Sequence, residues 1–185
     1  AGVVVLCTFS KQWLKASLTE HSVCASNYRG ELLGALMTLL ILKAASSFLP
    51  PTERYAALLY CDNQGVISHG NSSLLSLPEK QRQADLIRHI KHLSQSIRTT
   101  VTWEWVEGHA VERKGWRNCT VPERLNNTAD KLAKAALRLA IAGGHAYEGD
   151  FPFELVSLKL GGQCIGGSPR QSLQQHWGYT AARAL

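Results

Sequence analysis

The sequence lacks the residue patterns of several common classes of protein. Its five cysteines, at positions 7, 24, 61, 119 and 164, are scattered, and no two of them form a C-x-x-C pair. An odd, dispersed set argues against a disulfide framework or a zinc module and favours a reducing compartment. There is also no P-loop, dinucleotide-binding glycine pattern, G-x-S-x-G or H-E-x-x-H motif.

A secretory signal is missing as well. The apolar opening, residues 1–7, has no basic n-region and is too short to span a membrane. Three N-x-[ST] sequons, at Asn71, Asn118 and Asn126, are interpreted as chance in the absence of a signal peptide. We therefore expect an intracellular protein, cytoplasmic or nuclear, that is not secreted and associates with no membrane.

The composition that is present suits one globular domain with a small extension. The chain has 185 residues, of which 45% are hydrophobic and 18% charged, so it can bury a core. Its formal net charge is +6, which favours a polyanionic partner without identifying one.

Hydrophobic periodicity in the first part of the chain predicts strands and helices in alternation. A β-branched run at 2–8 and a weaker one at 12–18 predict an antiparallel hairpin. The segment 28–45 is apolar on nearly every side, which predicts a buried helix packed across a sheet. The apolar run 56–61 predicts a buried strand that ends on an acid, and 66–70 suits a single helical turn.

The second part continues the alternation. Residues 78–97 predict an amphipathic helix with a basic outer face, and 101–106 alternate as a strand. Residues 110–119 predict a basic, irregular loop. A T-V-P-E capping box predicts a helix that begins at about Val121, buries one apolar face and ends at the glycine pair 143–144.

The character of the sequence changes after Gly149. We expect one domain over residues 1–145 and a C-terminal extension over residues 146–185. The sequence of the extension predicts a small appendage, which consists of a strand at 151–160, a return strand at 163–165 and a short last helix.

Three acids lie on separate predicted elements. Glu31 is in the first turn of a helix, Asp62 ends a strand, and Asp130 interrupts a helix rich in Ala, Leu and Lys. Taken alone, Glu31 suits a helix N-terminus, Asp62 an Asx turn, and His109 a structural role. Together they suit a two-metal phosphodiester site, where two Mg²⁺ about 4 Å apart share several oxygen ligands.

Four short motifs, in this order and on these element types, resemble a type 1 ribonuclease H domain of the kind found in retroelement polyproteins. They are S-N-Y-R-G-E-L-L at 26–33, Y-C-D-N-Q at 60–64, V-E-G-H at 106–109 and N-N-T-A-D-K-L-A at 126–133. The resemblance spans about residues 1–140. It implies an α/β fold, in which a ribonuclease H-like mixed sheet is flanked by helices.

The resemblance also implies the chemistry. Glu31, Asp62 and Asp130 would bind two Mg²⁺ ions, with Mn²⁺ as a possible substitute, and His109 would assist proton movement or product release. The implied reaction is hydrolysis of the RNA strand of an RNA–DNA hybrid by metal-activated water, leaving 3′-hydroxyl and 5′-phosphate ends.

The implied partners are an RNA–DNA hybrid and a reverse transcriptase fused upstream. Asn27 and Gln64 match family positions that contact the minor groove, where a protein can recognise the RNA 2′-hydroxyl. Asn126, one helical turn before Asp130, is a third candidate for substrate binding.

Two departures from the family pattern matter. The gap from His109 to Asp130 is longer than in compact bacterial enzymes, and its basic insert is a candidate for contact with the substrate strand.

The family also has a fourth carboxylate, an Asp on its first strand, and the run at 2–8 matches its second strand. The chain starts at Ala1 rather than Met, so we expect it to lack that first strand and to have little metal-dependent activity alone; Glu20 is a poor substitute.

Two other interpretations remain open. The first is a non-catalytic module that uses the same fold to bind nucleic acid as a tether, and it would tolerate loss of the three acids. The second is a transposase-like or exonuclease member of the broader fold, against which the His109 loop and the Asp62-Asn63-Gln64 turn argue.

Overall fold

Helices dominate the part of the chain that the structure describes, and the strands there pair two by two. The computed structural model describes residues 1–19, 26–50, 55–73, 77, 81–143, 159–160 and 163–164. The strands are β1 (Gly2–Leu6), β2 (Trp13–Ser17), β3 (Ala56–Cys61), β4 (Thr100–Trp105), β5 (Lys159–Leu160) and β6 (Gln163–Cys164). The helices are α1 (Asn27–Ser47), α2 (Gln64–Asn71), α3 (Ala84–Ser96), α4 (Ala110–Lys114) and α5 (Val121–Ile141), with a 3₁₀ turn at Trp116–Asn118. The protein is therefore mixed α/β, as the sequence predicted.

The hairpin at the start of the chain is confirmed. β1 and β2 pair antiparallel, from Gly2 opposite Ser17 to Leu6 opposite Trp13. Lys11, in the left-handed region at φ 58°, lies in the connecting turn and donates its backbone N–H to the Cys7 carbonyl at 2.8 Å.

The helix α1 forms one side of the core. Ser26 caps it by accepting the Arg29 backbone N–H at 3.1 Å, and Leu32, Leu36 and Leu39 are each at most 2% exposed. These leucines belong to the same buried cluster as α3 residues such as Ile90. The expectation of burial on nearly every side is wrong, because the outer residues of α1 remain half-exposed or exposed.

Length and composition alone would let α1 cross a membrane. The core helix of a soluble protein can have the same length and apolar composition, and the innermost side chains of α1 do pack inside this protein.

The strands β3 and β4 pair in parallel, with Leu59 opposite Trp103 and Cys61 opposite Trp105. A parallel pair requires a crossover connection, and α2 and α3 provide it. Leu59 and Trp103 are buried, whereas Leu58 is 57% exposed. The predicted strand is correct in its bounds, but only one of its faces is buried.

The two strand pairs are separate sheets. Within the described residues, no backbone pairing joins β1 or β2 to β3 or β4. The helix α5 packs against both β1 and β3, and it approaches β1 so closely that a Cβ at Gly2 would lie 2.0 Å from the Ala129 carbonyl oxygen. A single mixed sheet is therefore not formed by these four strands.

Several predicted bounds change. The single turn expected at 66–70 is the two-turn helix α2, and α3 begins at Ala84, not at residue 78, because Gln83 adopts a left-handed conformation at φ 57°. The segment 110–119, expected to be irregular, contains α4 and the 3₁₀ turn.

The capping box of α5 is confirmed: Thr120 accepts the Glu123 backbone N–H at 3.4 Å and donates its own backbone N–H to the Glu123 carboxylate at 2.7 Å. The apolar face of α5 is covered only in part, since Leu137 is 52% exposed.

The C-terminal extension is described only where β5 and β6 pair antiparallel, with Lys159 opposite Cys164. The rest of the predicted appendage, including residues 151–158 and the last helix, lies outside the described residues. The boundary at 145 stays a prediction.

Two helical glycines give a matched test of this packing. Gly70 of α2 faces Trp103, and a Cβ there would lie 2.5 Å from the indole, whereas a Cβ on Gly30 of α1 would meet nothing within 4 Å. We expect Gly70→Ala to lower the free energy of unfolding by about 1–3 kcal/mol through overpacking. Gly30→Ala is expected to raise it by about 0.5–1 kcal/mol through helix propensity. Chemical denaturation measures both, and a Gly70→Ala protein as stable as wild type would contradict the packing.

Candidate functional site

Three elements deliver the acids predicted for the site. Glu31 is the fifth residue of α1, so it lies one residue further into the helix than predicted, just beyond the first turn. Asp62 follows β3 directly, where Asn63 caps α2 by accepting the Gly65 backbone N–H at 2.9 Å. Asp130 lies midway along α5.

The fold brings two of these acids together. A carboxylate oxygen of Glu31, one of Asp62 and the Cys61 sulfur all lie within 4.8 Å of one another. Asn126 donates its side-chain N–H to Asp62 Oδ2 at 3.3 Å, so α5 reaches the same point. Residues far apart in sequence therefore converge on the end of β3.

Electrostatics at this point reflect crowding of negative charge. The pKa of Glu31 is raised, first because its surroundings are poorly hydrated and then because Asp62 and Asp130 are nearby, although its side chain reaches solvent. Burial, with smaller contributions from Glu31 and Asp62, raises the pKa of the Cys61 thiol to about 12. Cys61 therefore stays protonated at neutral pH. Clustered carboxylates with a raised pKa are typical of functional sites.

Asp130 stands at the edge of the cluster. Its Oδ2 accepts a hydrogen bond from Lys134 at 2.6 Å, one helical turn away. It lies near enough to help raise the pKa of Glu31, but it does not belong to the closely spaced group around Asp62. The structure thus places Asp130 beside the pair, not within it.

His109 lies on a loop that passes directly against Asp62. A Cβ at Gly108 would be 2.7 Å from Asp62 Oδ2, so the loop needs glycine there. His109 itself has a left-handed backbone at φ 55°, and its exposed ring contacts Glu112 at 3.3 Å. Within the described chain, no hydrogen bond joins the ring to Glu31, Asp62 or Asp130.

The residues predicted to contact the substrate lie around the same point. Asn27 begins α1 and Gln64 begins α2, and both are exposed. A Cβ at Gly65 would be 3.2 Å from the Tyr28 ring, which shows that the two helix starts are adjacent. Asn126, in contrast, bonds to Asp62, so its first contact is with an acid of the site.

Two residues of the site were missed by reasoning from the sequence. Cys61 and Gly108 both lie inside the quoted motifs, as neighbours of Asp62 and His109. A signal was therefore present, but their contacts with Glu31 and Asp62 depend on long-range packing.

No protein-family model matches this chain, and no curated protein matches it.

The donor set fits a hard divalent cation. Glu31 and Asp62 offer carboxylate oxygens, which Mg²⁺ and Mn²⁺ prefer, and the protonated thiol of Cys61 does not compete as a thiolate ligand. A cation would also favour the charged form of Glu31, whose pKa is raised first by burial and then by Asp62 and Asp130.

Replacing Glu31 tests whether its carboxylate, whose pKa is raised by burial and by the nearby acids, lowers the stability of the fold. Because the folded-state pKa of Glu31 lies above its ordinary value of 4.5, the folded protein binds this proton more tightly than the unfolded chain does. Wild-type stability therefore falls as the pH rises from 4.5 through the raised pKa, and Glu31→Gln removes that loss. We expect Glu31→Gln to have a higher Tm than wild type at neutral pH in EDTA, by a margin that shrinks toward pH 4.

Glu104→Gln is the matched control, since Glu104 is exposed on β4 and outside the cluster. Its free energy of unfolding should change by less than about 0.5 kcal/mol. A Glu31→Gln protein less stable than wild type at neutral pH would contradict the raised pKa of Glu31.

Proposed function

We propose that this chain is the greater part of a ribonuclease H domain that hydrolyses the RNA strand of RNA–DNA hybrids. The observation that carries the proposal is the convergence of Glu31 and Asp62, from elements 31 residues apart in sequence, with Asn126 bonded to Asp62. A structural role alone does not require two carboxylates to approach so closely. Their repulsion is unfavourable unless a cation offsets it.

Each acid has a distinct role in this proposal. Glu31 and Asp62 would hold two Mg²⁺ ions, with Mn²⁺ as a substitute, and Asp130 would add a further carboxylate from α5. When bound, the ions activate water and stabilise charge on the phosphodiester. The Asn126 amide orients Asp62, and Lys134 holds Asp130 at the edge of the site.

His109 and the helix starts act on the substrate. The exposed His109 ring takes up or releases a proton, and the neighbouring Gly108 lets its loop approach Asp62. Asn27 and Gln64, on adjacent helix starts, contact the minor groove of the hybrid.

Charge supports a nucleic-acid partner. The chain carries a net charge of +6, and exposed cations such as Arg88, Arg113 and Arg117 lie on α3, α4 and the 3₁₀ turn. Phosphate contacts of this kind would make hybrid binding weaken as salt rises. A reverse transcriptase fused upstream and an intracellular location belong to the same proposal.

The separation of the two sheets supports one more element of the proposal. β1 and β3 both pack on α5, yet no pairing joins them within the described residues. We propose that an upstream strand pairs between them, completes a ribonuclease H-like mixed sheet and brings a fourth carboxylate beside Asp62. Such a strand would pair with backbone groups of β1 and of β3 and so join the two sheets.

Cleavage of a labelled RNA–DNA hybrid tests the function. We expect the 185-residue chain alone to show little or no turnover with Mg²⁺ or Mn²⁺, because the proposed upstream strand would supply a fourth carboxylate. A longer chain with the upstream residues is expected to cleave the RNA strand. In that longer chain, Asp62→Asn should lower the rate at least about 100-fold, since electrostatic groups of this kind commonly contribute that much.

The Glu104→Gln variant of the longer chain should retain the wild-type rate. Turnover by the 185-residue chain that Asp62→Asn abolishes would show that no further carboxylate is needed. The non-catalytic tether would be favoured by a different result. The chain would then bind the hybrid in a salt-dependent way without cleaving it, and neither Mg²⁺ nor loss of Glu31, Asp62 and Asp130 would change the binding.

A further inference from the structure

An open cleft of about 440 Å³ lies between the ends of β3 and β4 and the start of α5. Tyr60 and Trp105 line it from the strands, and Pro122 lines it from the helix. Trp105 is 56% exposed, so a large part of its indole is open to a ligand. The volume falls within the range typical of small-molecule sites, about 300–1,000 Å³.

The polar wall of the cleft is held in place by ion pairs. Lys114 bonds to Glu107 and, at 2.6 Å, to Glu123, and Arg113 bonds to Glu107 at 2.8 Å. These bonds lower the pKa values of both glutamates, mainly through Lys114, so the wall keeps its charges at neutral pH. A preformed wall loses little entropy when a ligand binds.

Two independent spacings place the cleft beside the acids. Tyr60 precedes Asp62 by two residues, which at full extension is about 7 Å of chain. Glu123 precedes Asn126 by three residues of α5, which places them one helical turn apart, about 5–6 Å between Cβ atoms. Since Asn126 bonds to Asp62, both spacings lead to the same carboxylate.

The chemistry of the cleft suits a planar, hydrogen-bonding ligand. An indole and a phenol ring provide apolar faces, and the fixed carboxylates and ammonium provide polar partners at the edge. Exposed Arg113 and Arg117 lie on the adjoining α4 and 3₁₀ turn, where a phosphate of the same ligand would be attracted. Aromatic faces with flanking cations are the usual means of binding unpaired nucleotides.

We propose that this cleft binds one unpaired nucleobase of the nucleic-acid substrate, stacked on Trp105, next to the phosphate that faces Asp62. The position of the phosphate rests on the proposed function, whereas the binding of the base does not. Because every base of a regular hybrid is paired, the cleft favours hybrids with an extrahelical nucleotide.

Fluorescence anisotropy of the 185-residue chain in EDTA tests this without any cleavage. The probes are a labelled RNA–DNA hybrid with one bulged adenosine in the RNA strand and the same hybrid fully paired. We expect the bulged hybrid to bind about tenfold more tightly, as one stacked base allows. With 2-aminopurine at the bulge, its emission should change on binding because of the stack.

Trp105→Ala is expected to abolish both the tenfold preference and the emission change, and Trp105→Phe to keep most of each. Trp13→Ala is the matched control, because Trp13 is also 56% exposed but lies on β2. Circular dichroism checks that each variant is folded.

Equal binding of the two hybrids by wild type, or failure to bind either, would overturn the proposal. So would a Trp105→Ala protein that keeps the preference, or a Trp13→Ala protein that loses it. Because these assays contain no metal, they separate the two proposals. If the chain prefers the bulged hybrid but its longer form does not cleave, base binding in the cleft is supported and the nuclease function is contradicted. If the longer form cleaves but the chain shows no preference, the nuclease function is supported and base binding is contradicted.

Discussion

The buried contact between α1 and α3 positions the candidate site. Leucines of α1 and apolar residues of α3 such as Ile90 pack together in one cluster, which Leu59 and Cys61 of β3 also join. Burial of each such side chain contributes about 1.5–3 kcal/mol, so the relative position of these elements is strongly determined. Glu31 lies on the same helix as the buried leucines, and Asp62 follows the buried strand end. Core packing thus holds two like charges together against their repulsion.

The helix α5 adds the other side of the site. Its start is held by the capping box of Thr120 and Glu123, and Lys114 ties Glu123 to Glu107 at the end of β4. From that fixed start, Asn126 reaches Asp62 one turn later. The ion pairs that line the aromatic cleft therefore also hold the start of the helix whose Asn126 bonds to Asp62.

The unpaired edges of β1 and β3 relate the fold to the proposed chemistry. Both strands pack on α5, but neither supplies hydrogen-bond partners to the other within the described chain. The upstream strand proposed above would join the two strand pairs into one sheet. Completion of the sheet and completion of the metal site would then be the same event.

Local features of this protein were determined by the sequence itself. The hairpin, the bounds of β3 and the capping box of α5 were predicted closely, because residue type and short-range spacing set backbone dihedrals and helix ends. The same patterns identified Glu31, Asp62 and Asp130 as candidates, although no local rule could say how near they lie. Only the tertiary structure decided that Cys61 and Gly108 border the acids, that Asp130 stands at the edge, that one face of β3 is open and that Trp105 lines a cleft. The physical reason is that distances between residues far apart in sequence follow from how whole elements pack, and packing depends on every buried side chain at once.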